Sequence, residues 1–144
     1  MRVLFLDIDG VLNRTGYRPA VSLGLRSWIE PELARRLARL LATTGADIVL
    51  SSAWRLGRTV GLLRDELRAA GVDSVMRDVT PALSGQPRWC EIAAWMHEHA
   101  VTADQIAIVD DGFDMGPLAP RFVRTSPLVG LDEDAAGALA ALLA

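Results

Sequence analysis

Short apolar runs along this chain alternate with stretches whose apolar residues recur at helical spacing, which predicts a parallel sheet flanked by helices on both faces. Val3 to Leu6 form a continuous apolar run without helical period, as expected of a strand buried on both faces. Residues 13 to 30 (NRTGYRPAVSLGLRSWIE) break the pattern with Gly, Pro and Arg, and predict an irregular flap over about residues 11–30. Pro31 suits the first position of a helix, Leu33, Leu37, Leu40 and Leu41 give that helix an apolar stripe, and Gly45 ends it. Asp47 to Leu50 predict a second buried strand, residues 58–70 a helix closed by Gly71, and Asp73 to Met76 a short third strand. Thr80 to Pro87 read as a loop, Arg88 to His99 as a helix with Ile92, Trp95 and Met96 on one face, and Gln105 to Val109 as a fourth strand. Arg121 to Thr125 make a fifth strand, and Asp132 caps a final helix of alanine and leucine. The expected fold class is α/β, a doubly wound parallel sheet, with residues 1–144 as a single domain.

Polar residues stand where the apolar runs stop. The first run ends in Asp7 and Asp9, the second in Ser51 and Ser52, the fourth in Asp110 and Asp111. Alternate side chains of an extended chain share a face, so Asp7 and Asp9 can point the same way. Gly10 lets the backbone turn sharply or approach a ligand closely. Open α/β sheets bind ligands outside the carboxyl ends of their strands, so these groups can converge on one crevice. Carboxylates brought together repel and protonate unless a cation holds them, and oxygen donors without histidine or cysteine support suit magnesium. A carboxylate beside magnesium can attack phosphorus, dividing a difficult hydrolysis into two steps.

Composition narrows the class. Of 144 residues, 51% are hydrophobic and 23% charged, a folded profile and not a disordered one. No apolar run approaches the roughly 18 to 20 residues of a membrane span, and the first residues lack the order of a signal peptide. A cytoplasmic protein without membrane partners is expected. The lone Cys90 excludes an internal disulfide and a cysteine-cluster metal site, and is expected to be a small core residue. A net charge of -3 argues against a surface dominated by nucleic-acid attraction, yet residues 14–36 carry five arginines against two glutamates, a local balance of +3. Every basic residue is an arginine; there is no lysine. His97 and His99 fall on different faces of their helix and are read as surface residues, and Trp89 and Trp95 as packing groups.

The stretches "LFLDIDGVLN", "IVLSSAWR" and "IVDDGFDMG" together resemble, in order and over most of the chain, the motifs of the haloacid dehalogenase-like (HAD) phosphohydrolases. The resemblance implies a HAD-like Rossmannoid fold, a magnesium cofactor, and phosphomonoester hydrolysis through an aspartyl-phosphate. On it, Asp7 is the nucleophile and a metal ligand. Asp9 is the general acid and base, and its backbone carbonyl also touches the metal. Ser51 donates to a phosphoryl oxygen, with Ser52 taking that place if the strand ends one residue later. Asp110 and Asp111 complete the metal site, directly or through water, and Asp114 is a further acidic candidate. The family's third motif is commonly a lysine; here Arg88 is assigned the role, with Arg77 as competitor. Trp54 and Arg55 border the site, and Arg55 is a candidate phosphate contact. An aspartate at the second position of the first motif separates the chain from dehalogenases and from phosphate-transporting pumps.

The segments between Gly10 and Ser51 and between Ser52 and Arg88 are too short for an inserted cap domain. An open site suits a bulky phosphorylated substrate. "SSAWR", with "LFLDIDGVLN" and "PLVGLDED", most resembles the small capless HAD domains of nucleic-acid end-repair proteins. This implies a nucleic-acid 3′-phosphate end as substrate, with Arg14, Tyr17, Arg18, Arg26 and Trp28 supplying phosphate contacts and a stacking surface. The alternatives are a small-molecule phosphatase or phosphotransferase, and a non-catalytic HAD-like binding domain. A phosphoacceptor signalling domain fits less well, because it needs its aspartate on a middle strand and a lysine on a late one.

Overall fold

The apolar runs pair side by side as parallel strands in a computed structural model that describes residues 1–112 and 114–144. β1 (Val3–Leu6), β2 (Asp47–Leu50), β3 (Met76–Val79), β4 (Ile106–Asp110) and β5 (Phe122–Arg124) form one sheet in the order β3-β2-β1-β4-β5. β1 is central: Val3 is in register with both Asp47 and Ile106, and Leu6 with both Leu50 and Val109. A strand with neighbours on both edges and helices over both faces has no solvent side, which is why all four of its residues are apolar and buried.

Alternation along the strands divides the core in two. Leu4, Leu6, Ile48, Leu50, Ala107 and Val109 face one way, against α1 (Pro31–Thr44), α2 (Val60–Ala69) and α4 (Glu133–Leu142). Val3, Phe5, Val49, Ile106 and Ile108 face the other, against Ile92, Trp95 and Met96 of α3 (Arg88–Glu98). The rings of Trp95 and Phe5 meet edge to face at 5.6 Å between centroids, and His99 stacks on Trp95 at 4.0 Å. The expected doubly wound sheet is therefore the observed one.

Local chemistry fixes the helix ends. Gly45 adopts a left-handed φ of 70°, and its N–H closes α1 onto Leu41 O at 2.8 Å. Thr59 caps α2 by accepting from Leu62 N–H at 3.1 Å, which starts that helix two residues later than its apolar pattern suggests. Asp132 caps α4 through Ala135 N–H at 2.8 Å.

Three expectations need correction. The third strand lies at Met76–Val79, downstream of Asp73 to Met76, because β3 is an edge strand whose ladder to β2 shifts register after Ile48. An edge strand carries the polar Arg77 and Asp78 without cost, so it lacks the apolar run that marks its neighbours. The fourth strand extends through Asp110, whose carbonyl accepts from Thr125 N–H at 2.9 Å. Cys90 is half-buried on α3 and is not a core residue.

The stretch between β1 and α1 is mostly irregular, as expected, with one 3-10 turn at Leu25–Trp28. Leu25 and Ile29 pin it to the core. No helix among the described residues is long and apolar enough to cross a membrane.

Candidate active site

The sheet ladder continues one residue beyond several strand ends, and this lines up polar side chains along its carboxyl edge. Thr80 N–H donates to Leu50 O at 3.0 Å, Ser51 N–H to Leu6 O at 3.0 Å, and Asp7 N–H to Val109 O at 3.1 Å. Following the strand order, the row reads Thr80, Ser51, Asp7, Asp110, with Thr125 one residue beyond it on the β5 side, and all five are buried. Its middle lies between β1 and β4. There the chain, having laid β2 and β3 on one side of β1, crosses to the other, and such a switch point opens a crevice.

Asp7, Asp110 and Asp111 each place a carboxylate oxygen in that crevice, all within 4.8 Å of one another. Arg88, the first residue of α3, enters from the side. Its Nη1 donates to Asp110 Oδ2 at 2.7 Å and lies 3.2 Å from Asp7 Oδ1. Arg77 is elsewhere: its Nε donates at 3.1 Å to Asp47, the first residue of β2, at the opposite end of the strand from the crevice. Of the two arginines considered for the basic position, Arg88 is the one beside the acids.

Three carboxylates facing one guanidinium leave the crevice short of positive charge. Burial, and then the charge of Asp110, push the Asp7 carboxyl up to about 7, with Arg88 opposing them. Burial works against the charge of Arg88, but Asp7 and Asp110 outweigh it and hold its pKa above the usual value. A compact, oxygen-only, under-neutralised donor set matches a hard divalent cation, and Asp7, Asp110 and Asp111 are the side chains that could hold one.

Gly10 is what allows Asp111 to come this close. Its φ is 81°, and a Cβ at this position would stand 2.3 Å from Asp111 Oδ2. Asn13 Oδ1 accepts from Gly10 N–H at 3.1 Å, and Thr125 Oγ1 donates to Gly10 O at 2.8 Å. The turn is thus held from both sides. Asp110 is oriented in the same manner, its Oδ1 accepting from Gly112 N–H at 2.8 Å.

Asp9 stands apart from the cluster. Gly10 turns the chain, and the Asp9 carboxylate is exposed at the mouth instead of joining the other three. Asn13 Nδ2 donates to its Oδ1 at 2.8 Å, and the Trp54 indole N–H spans both oxygens at 3.3 and 3.2 Å. Asp114 is also outside the group; its carboxylate accepts from Gly116 N–H at 2.9 Å.

The two serines separate cleanly. Ser51 is fully buried and its Oγ has no hydrogen-bond partner among the described residues. Ser52 Oγ accepts from Trp54 N–H at 3.2 Å and so caps the 3-10 turn Ala53–Arg55. Arg55, expected at a phosphate, is instead committed to the scaffold. Its guanidinium donates to the carbonyls of Thr80, Ser51, Ser52 and Pro81 at 2.9 to 3.2 Å and pairs with Glu91 at 2.9 Å. Five planar donors surrounded by four fixed carbonyls and a carboxylate have none left for a ligand.

The arginines of residues 14–36 are partly consumed as well. Arg14 pairs with Glu30 at 3.1 Å and Glu32 at 2.8 Å, and Arg36 with Glu133 at 2.9 Å. The local balance of +3 over residues 14–36 already counts Glu30 and Glu32, and Glu133 of α4, paired with Arg36, lowers it further. Tyr17 donates its hydroxyl to Ser27 O, and Trp28 its indole N–H to Ser22 Oγ, so both brace the flap itself.

Asn13 and Thr125 position the site without having been singled out from the sequence. Asn13 could have been noticed, since it stands at the end of the first motif where a short amide can bond back to the turn. Thr125 carries no local signal at all; its part depends on a neighbour 115 residues away.

Residues 3–136 match the family model described as the HAD domain in Swiss Army Knife RNA repair proteins. No curated protein and no solved structure matches the chain. With the five-stranded parallel sheet, the acids at its carboxyl edge and a family match over nearly the whole sequence, this chain belongs to that family of small HAD domains.

Proposed function

We propose that this chain is a magnesium-dependent phosphomonoester hydrolase, acting on phosphorylated nucleic-acid ends through a phosphorylated Asp7, with residues 1–144 working as one capless domain. The observation that carries this reading is the meeting of Asp7, Asp110, Asp111 and Arg88 beside the unpartnered Ser51 hydroxyl. A magnesium ion held by Asp7, Asp110 and Asp111 would neutralise the carboxylates and screen an anionic substrate from an anionic attacker.

The roles of the side chains follow from their positions. Arg88 contributes a second positive centre at the place a phosphoryl group would enter. Ser51 Oγ, buried without a partner, is a donor kept for a phosphoryl oxygen. Asp7 attacks phosphorus; the Asp7–phosphorus bond forms as the bond to the leaving oxygen breaks, and protonated Asp9 gives its proton to that oxygen. Asp9, now a carboxylate, takes a proton from water as the water oxygen attacks phosphorus, and the bond to Asp7 breaks to release phosphate. The exposed Asp9 at the mouth suits this exchange, since both leaving group and water arrive from that side. The two stretches where a cap would be inserted hold the flap, α1, α2 and the edge strand β3, in keeping with an uncapped site that admits a polymer end.

The test is a panel of a 3′-phosphorylated oligonucleotide, a phosphopeptide and a small phosphomonoester, each with magnesium and with chelator. Magnesium-dependent release of phosphate, fastest from the oligonucleotide, is expected. No turnover of any member with magnesium would refute hydrolysis, and preference for the small ester would refute the nucleic-acid end.

A further inference from the structure

Beside the carboxylate crevice, Asp9, Ala53, Trp54 and Arg58 line an open hollow of about 260 Å³. The residue that proton transfer requires forms one wall of it. If Asp9 hands its proton to the leaving oxygen, as proposed above, the leaving group must lie on the Asp9 side, and this hollow is the space available there.

Its other walls have a particular chemistry. The Trp54 indole donates to both Asp9 oxygens, which fixes the plane of the carboxylate and puts the ring at the edge of the hollow. The Arg58 guanidinium lies over that ring, 4.8 Å from its centroid. Arg58 Nη1 is tied to the carbonyls of Trp54 and Leu56 at 3.0 and 3.4 Å, whereas its Nε and Nη2 make no hydrogen bond among the described residues. That free edge is the forked pair of donors that grips a phosphate. An aromatic face beside a forked cation complements a base and a phosphodiester; a phosphopeptide or a sugar phosphate would satisfy at most one of the two.

We propose that this hollow is the leaving-group subsite, in which Trp54 positions Asp9 and, with Arg58, stacks the base of the terminal nucleotide, while Arg58 holds the phosphodiester to the next. The inference rests on the hydrolase reading and adds to it the residues that select the leaving group. Trp54 acts on the chemistry through Asp9 and is a positioning residue; Arg58 acts on affinity.

The experiment compares kcat/KM for a 3′-phosphorylated dinucleotide and for glycerol 2-phosphate, with magnesium, in the wild type, Arg58→Gln, Arg58→Lys, Trp54→Leu and Trp54→Phe. Arg58→Gln is expected to lower the dinucleotide-to-glycerol ratio about tenfold, mainly through KM, with partial recovery in Arg58→Lys. Trp54→Leu should lower the same ratio by about tenfold through lost stacking. Trp54→Phe keeps a ring and removes the N–H, so kcat should fall on both substrates while KM changes little. In a second arm, the dinucleotide is titrated calorimetrically into Asp7→Asn protein with and without Arg58→Gln, where about tenfold weaker binding is expected. Ratios and binding unchanged by Arg58→Gln and Trp54→Leu would overturn the subsite and leave the hydrolase reading standing. A wild type that hydrolyses neither substrate would overturn the hydrolase reading, and the binding arm would still decide whether Arg58 holds a nucleotide.

Discussion

Two arginine sites lie along the start of α3 and differ in one respect. Around Arg55, a single guanidinium meets Glu91 and four backbone carbonyls, so each donor has an acceptor and the charges balance. Around Arg88, one guanidinium faces Asp7 and Asp110 with Asp111 close by, and the buried hydroxyls of Ser51 and its row neighbour Thr80 have no partner among the described residues. Both sites are built from buried polar groups at strand ends. The first is closed and holds the loop after β2 against the loop after β3; the second is incomplete until something enters it. Saturated buried polarity reads as scaffold, and unsaturated buried polarity beside a charged cluster as a candidate site, because an unmade bond in a dry interior is costly.

Asp7→Asn should separate the two most sharply. Phosphatase turnover is expected to drop roughly a thousandfold or more, while circular dichroism stays native and the melting temperature holds or rises, since one repelling charge is gone. Full activity in this variant would refute Asp7 as nucleophile. Next in size, Arg55→Met takes the buried guanidinium from the partly buried Glu91 carboxylate and from four carbonyls, and is expected to cost about 3–5 kcal/mol, read by urea unfolding, with no recovery on adding magnesium. Arg88→Met is its counterpart: activity is lost, but the metal-free stability deficit recovers with magnesium, because another cation can answer the same carboxylates. Equal rescue of both variants would dissolve the contrast.

Ser51→Ala should cost about 10- to 100-fold in turnover yet change stability by less than about 0.5 kcal/mol, because the hydroxyl has no bond to lose among the described residues. Smallest in effect is the pH response. The Asp7 carboxyl, ordinarily at 3.8, is held at about 7 in the folded, metal-free chain. The folded state therefore keeps a proton that the unfolded state has released, and this group's contribution is complete below pH 3.8 and lost as pH rises through about 7. Metal-free protein should melt a few degrees lower at about pH 8 than at about pH 5. Magnesium should raise the melting temperature more at the higher pH, and Asp7→Asn should flatten both trends.

The sequence carried the four strands with apolar content, the helix caps at Gly45 and Asp132, and the order of acids and serines at strand ends. It did so because burial on two faces writes itself as a run of apolar letters, and because caps are local. It placed β3 too early, since an edge strand with Arg77 and Asp78 has no such run. It read Arg55 and Ser52 as possible ligand contacts because a motif places residues near one another without saying what each already holds.

Residue order alone determined that acids would stand at the carboxyl ends of β1 and β4, for the alternation of apolar runs and helices leaves few other topologies. Only the folded chain decided which polar groups are spent and which are spare. Arg55 meets carbonyls 25 and 26 residues away, Arg88 meets acids from two strands, and Gly10 makes room for Asp111. Hydrogen-bond saturation is a property of neighbours in space, and neighbours in space are fixed by packing.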